Sequence, residues 1–406
     1  MTRPSRWSLV WPVLATLIVP LAAAWFAYPG THLPPGFGIF PPVFVQAAPG
    51  FWLPYFLLVA GAALLITVFY LFPQWFGFRP PAAPPVPPAP ARLPLWFWLG
   101  LALTLYFWWL MWARPPSMGS FVYYAFTPLW WGFILVLDGI VYRRMGGRSL
   151  LATRPHTLWL SALVSVAGWG YFEYYDYFVI GNWTYPNGHM PELAHATIVV
   201  LFLLAYTTVW PVIFEWYTLL MSFPRLALRY TQGPKLQLPA QLMLWAALGL
   251  IGAMVFWPYP LFWVIWIGPM AVIAAQLLRL KVWTPFSAIA QGNWSPALLV
   301  ALGSLCNGFF WELWNYGSAH PNPLSPSYPI TPTNPNYWVY DIPYVNVIHV
   351  FSEMPLLGYF GYLPFGMLVW VVFAWAGAVF GFDTSLDLDG ARPAEAADTA
   401  ATEGAA

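Results

Sequence analysis

Charged side chains are scarce in this chain. Its 406 residues hold 15 Lys and Arg against 14 Asp and Glu, for a formal net charge of +1. A chain so poor in cations lacks the basic field that nucleic-acid binding requires, so that class of partner is excluded. Cysteine is nearly absent. With Cys306 alone there is no intrachain disulfide and no Cys-based zinc or iron–sulfur site, and the redox compartment cannot be read. A phosphate-cradling Gly-rich loop, a Ser/His/Asp set with recognisable flanks and a haem-attachment motif are also missing. ATP-driven transport within the chain is thereby excluded, and no cofactor is expected.

What fills the sequence is apolar. Hydrophobic residues make up 60% of it, in recurring runs of about 20 residues, the length of a membrane-spanning helix. The expected fold class is therefore an all-α polytopic integral membrane protein. Ten apolar segments can be drawn, at 8–28, 51–72, 94–113, 120–142, 156–180, 194–222, 238–257, 259–281, 296–316 and 346–380. The last is long enough to kink at Pro355 or Pro364, or to be two pieces. Loops between the segments alternate in charge: one set carries 14 basic residues and the other only Arg114. The positive-inside rule then predicts a multi-pass protein of the cell membrane with both termini cytoplasmic. The first segment has a basic start and an Ala-rich end, but it is long for a signal peptide and reads as a first span.

The expected organisation is two N-terminal spans (1–77), a Pro/Ala-rich linker (78–93) running as extended, unpacked polyproline II, a four-helix unit (94–222), a cytoplasmic linker (223–237), a second four-helix unit (238–380) and a disordered acidic tail (381–406). The two units read as tandem copies. Glu173 and Asp176 in GWGYFEYYDY lie 139 residues before Glu312 and Asn315 in NGFFWELWNY. An aromatic-x-Tyr element follows in each copy, NWTYP and YWVYD, and then a His, His195 or His349, at the start of the next apolar run. Equal orientation of the copies predicts a pseudo-twofold axis along the membrane normal.

Eight of the 14 acidic residues lie in the apolar body, where an ionisable group costs a few kcal/mol, about 3 by insertion scales, and is a default candidate for function. Glu173 and Asp176, like Glu312 and Asn315, are spaced i, i+3 and so share a helix face. Such a pair either does acid–base chemistry, since desolvation keeps a carboxyl protonated and able to donate, or clamps helix ends through Trp and Tyr donors. Both readings are open. His349 and Glu353, at i, i+4, read as a proton relay or half of a metal site. His189, Glu192 and His195 form the alternative metal set, although their spacing matches no metal motif and Pro191 interrupts helical presentation. Glu215 needs a partner from another helix, and Asp138 reads as an interfacial pair with Arg143. The 28 Trp read as interface anchors or as the wall of an aromatic cavity. Trp183, Tyr185, Glu192, Trp311, Trp314, Trp338 and Tyr340 are the candidate substrate contacts.

The stretch YDYFVIGNWTYPNGHMPE resembles the motif of the membrane-embedded lycopene cyclases, with Asp176, Gly181, Trp183, Tyr185, Pro191 and Glu192 falling in the family's order. That family also builds itself from two related small helical units. The resemblance implies cofactor-free acid–base chemistry on a polyene or other isoprenoid: a carboxylic acid protonates a double bond and aromatic faces stabilise the cation. The chain departs from the motif where Leu193 follows Glu192, since the family has two adjacent acids there.

Three functions remain. One is a membrane enzyme acting on an isoprenoid or lipid through Glu173, Asp176, Glu312 and His349. Another is a proton- or ion-coupled transporter of a small solute or lipid. The third is a scaffold subunit of a membrane complex. The partner common to all three is the bilayer, a hydrophobic small-molecule substrate goes with the enzyme reading, and the oligomeric state is not legible.

Overall fold

The computed structural model describes residues 5–80, 83–322, 324 and 333–388. They are almost wholly helical: α1 (Arg6–Ala27), α2 (Leu53–Leu71), α3 (Leu95–Ala113), α4 (Phe126–Arg144), the one-turn α5 (Leu150–Thr153), α6 (Pro155–Asp176), α7 (His195–Tyr206), α8 (Val209–Met221), the short α9 (Pro224–Leu228), α10 (Ala240–Phe256), α11 (Val264–Arg279), α12 (Ser295–Gly317) and α13 (Tyr362–Phe380). Two short strands, β1 (Trp183–Thr184) and β2 (Val339–Tyr340), pair antiparallel.

Among the described residues, six helical segments are long and apolar enough to cross a membrane: 6–27, 53–71, 95–113, 195–221, 295–319 and 356–380. A seventh is added if the 3-10 segment Pro116–Tyr124 and α4, which meet at a bend of 66°, form one span. The other expected spans are helical but fall short of that standard. The α10 and α11 helices have 17 and 16 residues, and α6 ends in a polar run that holds Glu173, Asp176, Tyr171, Tyr174 and Tyr175.

Other boundaries also differ from expectation. Residues 346–355 are not helical, and α13 is preceded by a 3-10 turn that starts after Pro355. Proline restricts the residue before it and has no N–H to give, so the helix starts beyond it. The Pro/Ala linker does pack at its end. The Ala91 N–H donates to the Arg143 carbonyl at 2.9 Å, and Gly146 stands at φ +63° against Pro88. The tail is folded as far as it is described, with Leu386 buried and Asp383 paired to Arg154 at 2.8 Å. Residues 389–406 lie outside the described residues.

The N-terminal helix is built into the bundle. Trp375 Nε1 donates to the Leu9 carbonyl at 2.8 Å, Gln276 Nε2 to that of Ser8 at 2.7 Å, and the Tyr175 hydroxyl to that of Thr16 at 2.7 Å. Asp138 is no interfacial partner of Arg143. It is fully buried and accepts from Trp96 Nε1, Ser149 Oγ and the Leu151 N–H, each at 2.8 Å. It thereby holds the start of α5. Glu215 on α8 is likewise fully buried and lies within electrostatic reach of Asp138, the partner from another helix that its position called for.

Helices α3 and α4 cross at glycines. A Cβ at Gly100 would lie 2.6 Å from the Gly132 carbonyl oxygen, and one at Gly132 would lie 2.8 Å from the Gly100 oxygen. Small residues at such a crossing let backbones meet where no hydrophobic effect drives association. Gly132→Ala should therefore cost about 1–3 kcal/mol, because backbone has to move. The thermal midpoint of the detergent-solubilised variant, read by size-exclusion chromatography, checks this; an unchanged midpoint would mean that the crossing is looser than drawn.

Candidate functional site

The strand pair fixes the site. Trp183 stands opposite Tyr340 and Thr184 opposite Val339. Because Trp183-Thr184-Tyr185 corresponds in sequence to Trp338-Val339-Tyr340, this is the register a local twofold through Thr184 and Val339 demands. The second member of each helix-end pair holds its own strand. Asp176 Oδ1 accepts from the Asn182 N–H at 2.8 Å and the Trp183 N–H at 3.4 Å. Asn315 accepts from the Trp338 N–H at 3.0 Å and donates its amide to the Trp338 carbonyl at 2.7 Å. Both side chains are fully buried.

Their difference makes a controlled test. Asp176→Asn keeps the one acceptor in use, since Oδ2 has no partner, and should change stability little. Asn315→Asp sets a second acceptor against the Trp338 carbonyl and should cost about 1–3 kcal/mol. Thermal midpoints of the two variants read this directly; equal losses would contradict the assignment.

The first members do something different. Glu173 Oε1 accepts from Trp169 Nε1 at 2.8 Å, Tyr185 OH at 2.5 Å and Tyr206 OH at 3.0 Å, and its Oε2 from Trp183 Nε1 at 3.2 Å. Glu312 Oε1 accepts from Tyr340 OH at 2.9 Å and Tyr362 OH at 2.6 Å. Trp338 Nε1 reaches Tyr340 OH at 2.7 Å instead of the carboxyl, and Glu312 Oε2 has no partner. Where the first segment has Trp169 the second has Gly308. The Tyr362 ring occupies that space: a Cβ at Gly308 would lie 2.4 Å from Tyr362 Cδ2. Each carboxyl is thus buried, ringed by neutral donors and crowned by two phenols.

Those phenols face a common chamber. Its volume is about 770 Å³ and its wall is mainly aromatic and aliphatic, with Trp183, Trp266, Trp311, Trp338 and Phe365 prominent. Tyr185, Tyr206, Tyr340 and Tyr362 line it, whereas Glu173 and Glu312 stand behind them. One side is α2. Its cavity face runs from Tyr55 to Tyr70, about 22 Å at the helical rise. The ends of α2 are pinned, Tyr55 OH to the Pro260 carbonyl at 2.9 Å and Tyr70 OH to that of Leu298 at 3.0 Å. Within the helix only Ala63 is buried.

Other expected site residues lie elsewhere. Trp314 packs with Trp108, Trp130 and Phe133 away from the chamber. His349 and Glu353 share no helix: His349 Nδ1 pairs with the Ser352 carbonyl at 3.1 Å, while Glu353 pairs with His320 and accepts from Tyr337 OH at 2.5 Å. Burial, and then the Glu353 hydrogen bond, push the Tyr337 phenol up, so it remains a donor. His189 pairs with the Pro41 carbonyl at 2.8 Å and stacks on His195 at 5.5 Å, and Glu192 is exposed. Among the described residues no group of three or more His, Cys, Asp or Glu is placed to hold a metal ion.

Sequence reasoning missed Tyr206 and Tyr362. The signal was present, since they stand 21 residues after Tyr185 and 22 after Tyr340. Comparison with protein-family models, with curated proteins and with solved structures finds no match to this chain.

Proposed function

We propose that the chain is a multi-pass membrane enzyme in which two tandem four-helix units, following two N-terminal helices in a body of about ten spans, enclose one chamber for an isoprenoid or another elongated lipid. The observation that carries this reading is the pair of carboxyl-backed phenol clusters, Glu173 with Tyr185 and Tyr206 and Glu312 with Tyr340 and Tyr362, at one end of an apolar, aromatic-walled cavity. A protonated carboxyl relays its proton through the phenol at the wall to an alkene carbon and is left as a carboxylate. The faces of Trp183, Trp266 and Trp311 stabilise the carbocation. The carboxylate of the other cluster takes up a neighbouring proton through its phenol, so substrate and product are isomers and no cofactor is consumed; return of a proton to the first carboxyl and its loss from the second reset the site. The resemblance of residues 175–192 to the membrane-embedded lycopene cyclases supports a polyene as substrate. The alternation of loop charge supports cytoplasmic termini and, with them, a site in the outer half of the bilayer.

A transporter would use the same acids, but its sites gather near mid-membrane. Glu173 and Glu312 lie within the last two turns of α6 and α12, which favours the enzyme. The test is the lipid and pigment extract of cells lacking the gene, compared with cells rescued by wild type, Glu173→Gln or Glu312→Gln. A precursor that accumulates in the deletion strain and is cleared only by wild type is the expected result. An identical profile in every strain would refute the enzyme.

A further inference from the structure

A second concave site lies at the far end of α3 and α4 from the strand pair. Its volume is about 410 Å³, and Arg92, Arg143 and Trp98 are among its walls. The hydrogen bond from Ala91 N–H to the Arg143 carbonyl brings the linker against the end of α4 and so sets the two arginines on one cleft.

The basic residues nearby are engaged within the protein. Arg144 donates to Ser222 Oγ at 2.8 Å and lies 3.8 Å from the centre of the Phe223 ring. Arg148 Nε donates to the Met145 carbonyl at 3.1 Å, and Arg154 pairs with Asp383. Arg92 and Arg143 are exposed, and among the described residues no carboxylate pairs with either. Two forked guanidinium groups converging on a hollow suit the oxygens of a phosphate, which each can hold by two hydrogen bonds.

The surroundings say which phosphate. The cleft opens where the apolar run of α3 begins, at the level of lipid headgroups if that helix spans the membrane. From it an unbroken exposed stripe descends α3 through Leu95, Trp98, Leu99, Leu105, Tyr106 and Trp109. The stripe is about 21 Å long, longer than the roughly 15 Å depth of one leaflet's hydrocarbon. We propose that this cleft binds the phosphate of an anionic phospholipid, with an acyl chain lying along the exposed face of α3.

The experiment is native mass spectrometry of the full chain released from detergent in the presence of phosphatidylglycerol, phosphatidylcholine or inorganic phosphate. Wild type is expected to retain phosphatidylglycerol in preference to phosphatidylcholine. R92Q/R143Q should retain it about 25-fold more weakly, the product of two arginines each contributing about fivefold. R92K/R143K keeps the charge but not the fork and should fall between them, which holds the test open if the glutamine variant does not fold. Equal retention of phosphatidylglycerol by wild type and R92Q/R143Q would overturn the proposal. So would inorganic phosphate that displaces the lipid at equal concentration, because the site would then select a free anion.

Discussion

Glu173→Ala is expected to lower stability by about 4 kcal/mol, because four donors, three of them on buried residues, lose their acceptor at once and each costs about 1 kcal/mol or more when left unmade. The donors come from three places in the chain. Trp169 is on α6 itself, Trp183 opens β1 with Tyr185 just beyond it, and Tyr206 ends α7. Losing the acceptor therefore loosens the seam between α6, the strand pair and α7. Glu312→Ala removes the acceptor of only two phenols and should cost about 2 kcal/mol. Glu173→Gln keeps an oxygen for the three donors at Oε1 and sets its amide against the Trp183 N–H, a smaller loss of about 1–3 kcal/mol. Thermal midpoints of the purified variants should rank Glu173→Ala lowest, and equal losses at the two glutamates would disprove the difference in wiring.

The second large effect is on rate. If the phenol clusters move protons, Glu173→Gln and Glu312→Gln should slow the chemical step by about 10²–10⁴-fold, the usual contribution of a positioned general acid or base. Tyr206→Phe and Tyr362→Phe each delete one hydroxyl that touches a carboxyl and should slow it less, because Tyr185 and Tyr340 still connect each carboxyl to the chamber. Asp176→Asn should leave the rate nearly unchanged, since its carboxyl serves the backbone of β1. Turnover of the accumulated precursor in membranes from the rescued strains reads all of these. Full turnover by both glutamine variants would reduce the clusters to structural clamps.

Composition and hydrophobic run length made the helical membrane class legible, and every segment drawn from the sequence contains helix. Span lengths were less legible, because a polar cluster buried at a helix end lowers apolarity without ending the helix, as at Glu173 and Asp176. The i, i+3 pairs were recognisable as special, but their division of labour was not. Nothing in the spacing says that Asp176 serves backbone while Glu173 serves phenols; that follows from where the chain turns after Ile180, which has φ +59°. The second copy hides its tyrosines further. Glu173 and Glu312 are 139 residues apart, but Tyr185 and Tyr340 are 155 apart, because the loop after α12 is longer, so no constant offset links the partners. His349 and Glu353 misled for a local reason: a helical spacing means nothing in a segment that Pro355 keeps from being helix.

The thin packing of α2 bears on how any activity must be measured. On the proposed reading, a chamber walled on one side by a helix with most of its surface turned away from the bundle should take its ligand from neighbouring lipid, not from water. The concentration that matters is then a mole fraction within the bilayer. Saturation should follow the ratio of ligand to total lipid in a vesicle and stay constant when the whole suspension is diluted with buffer.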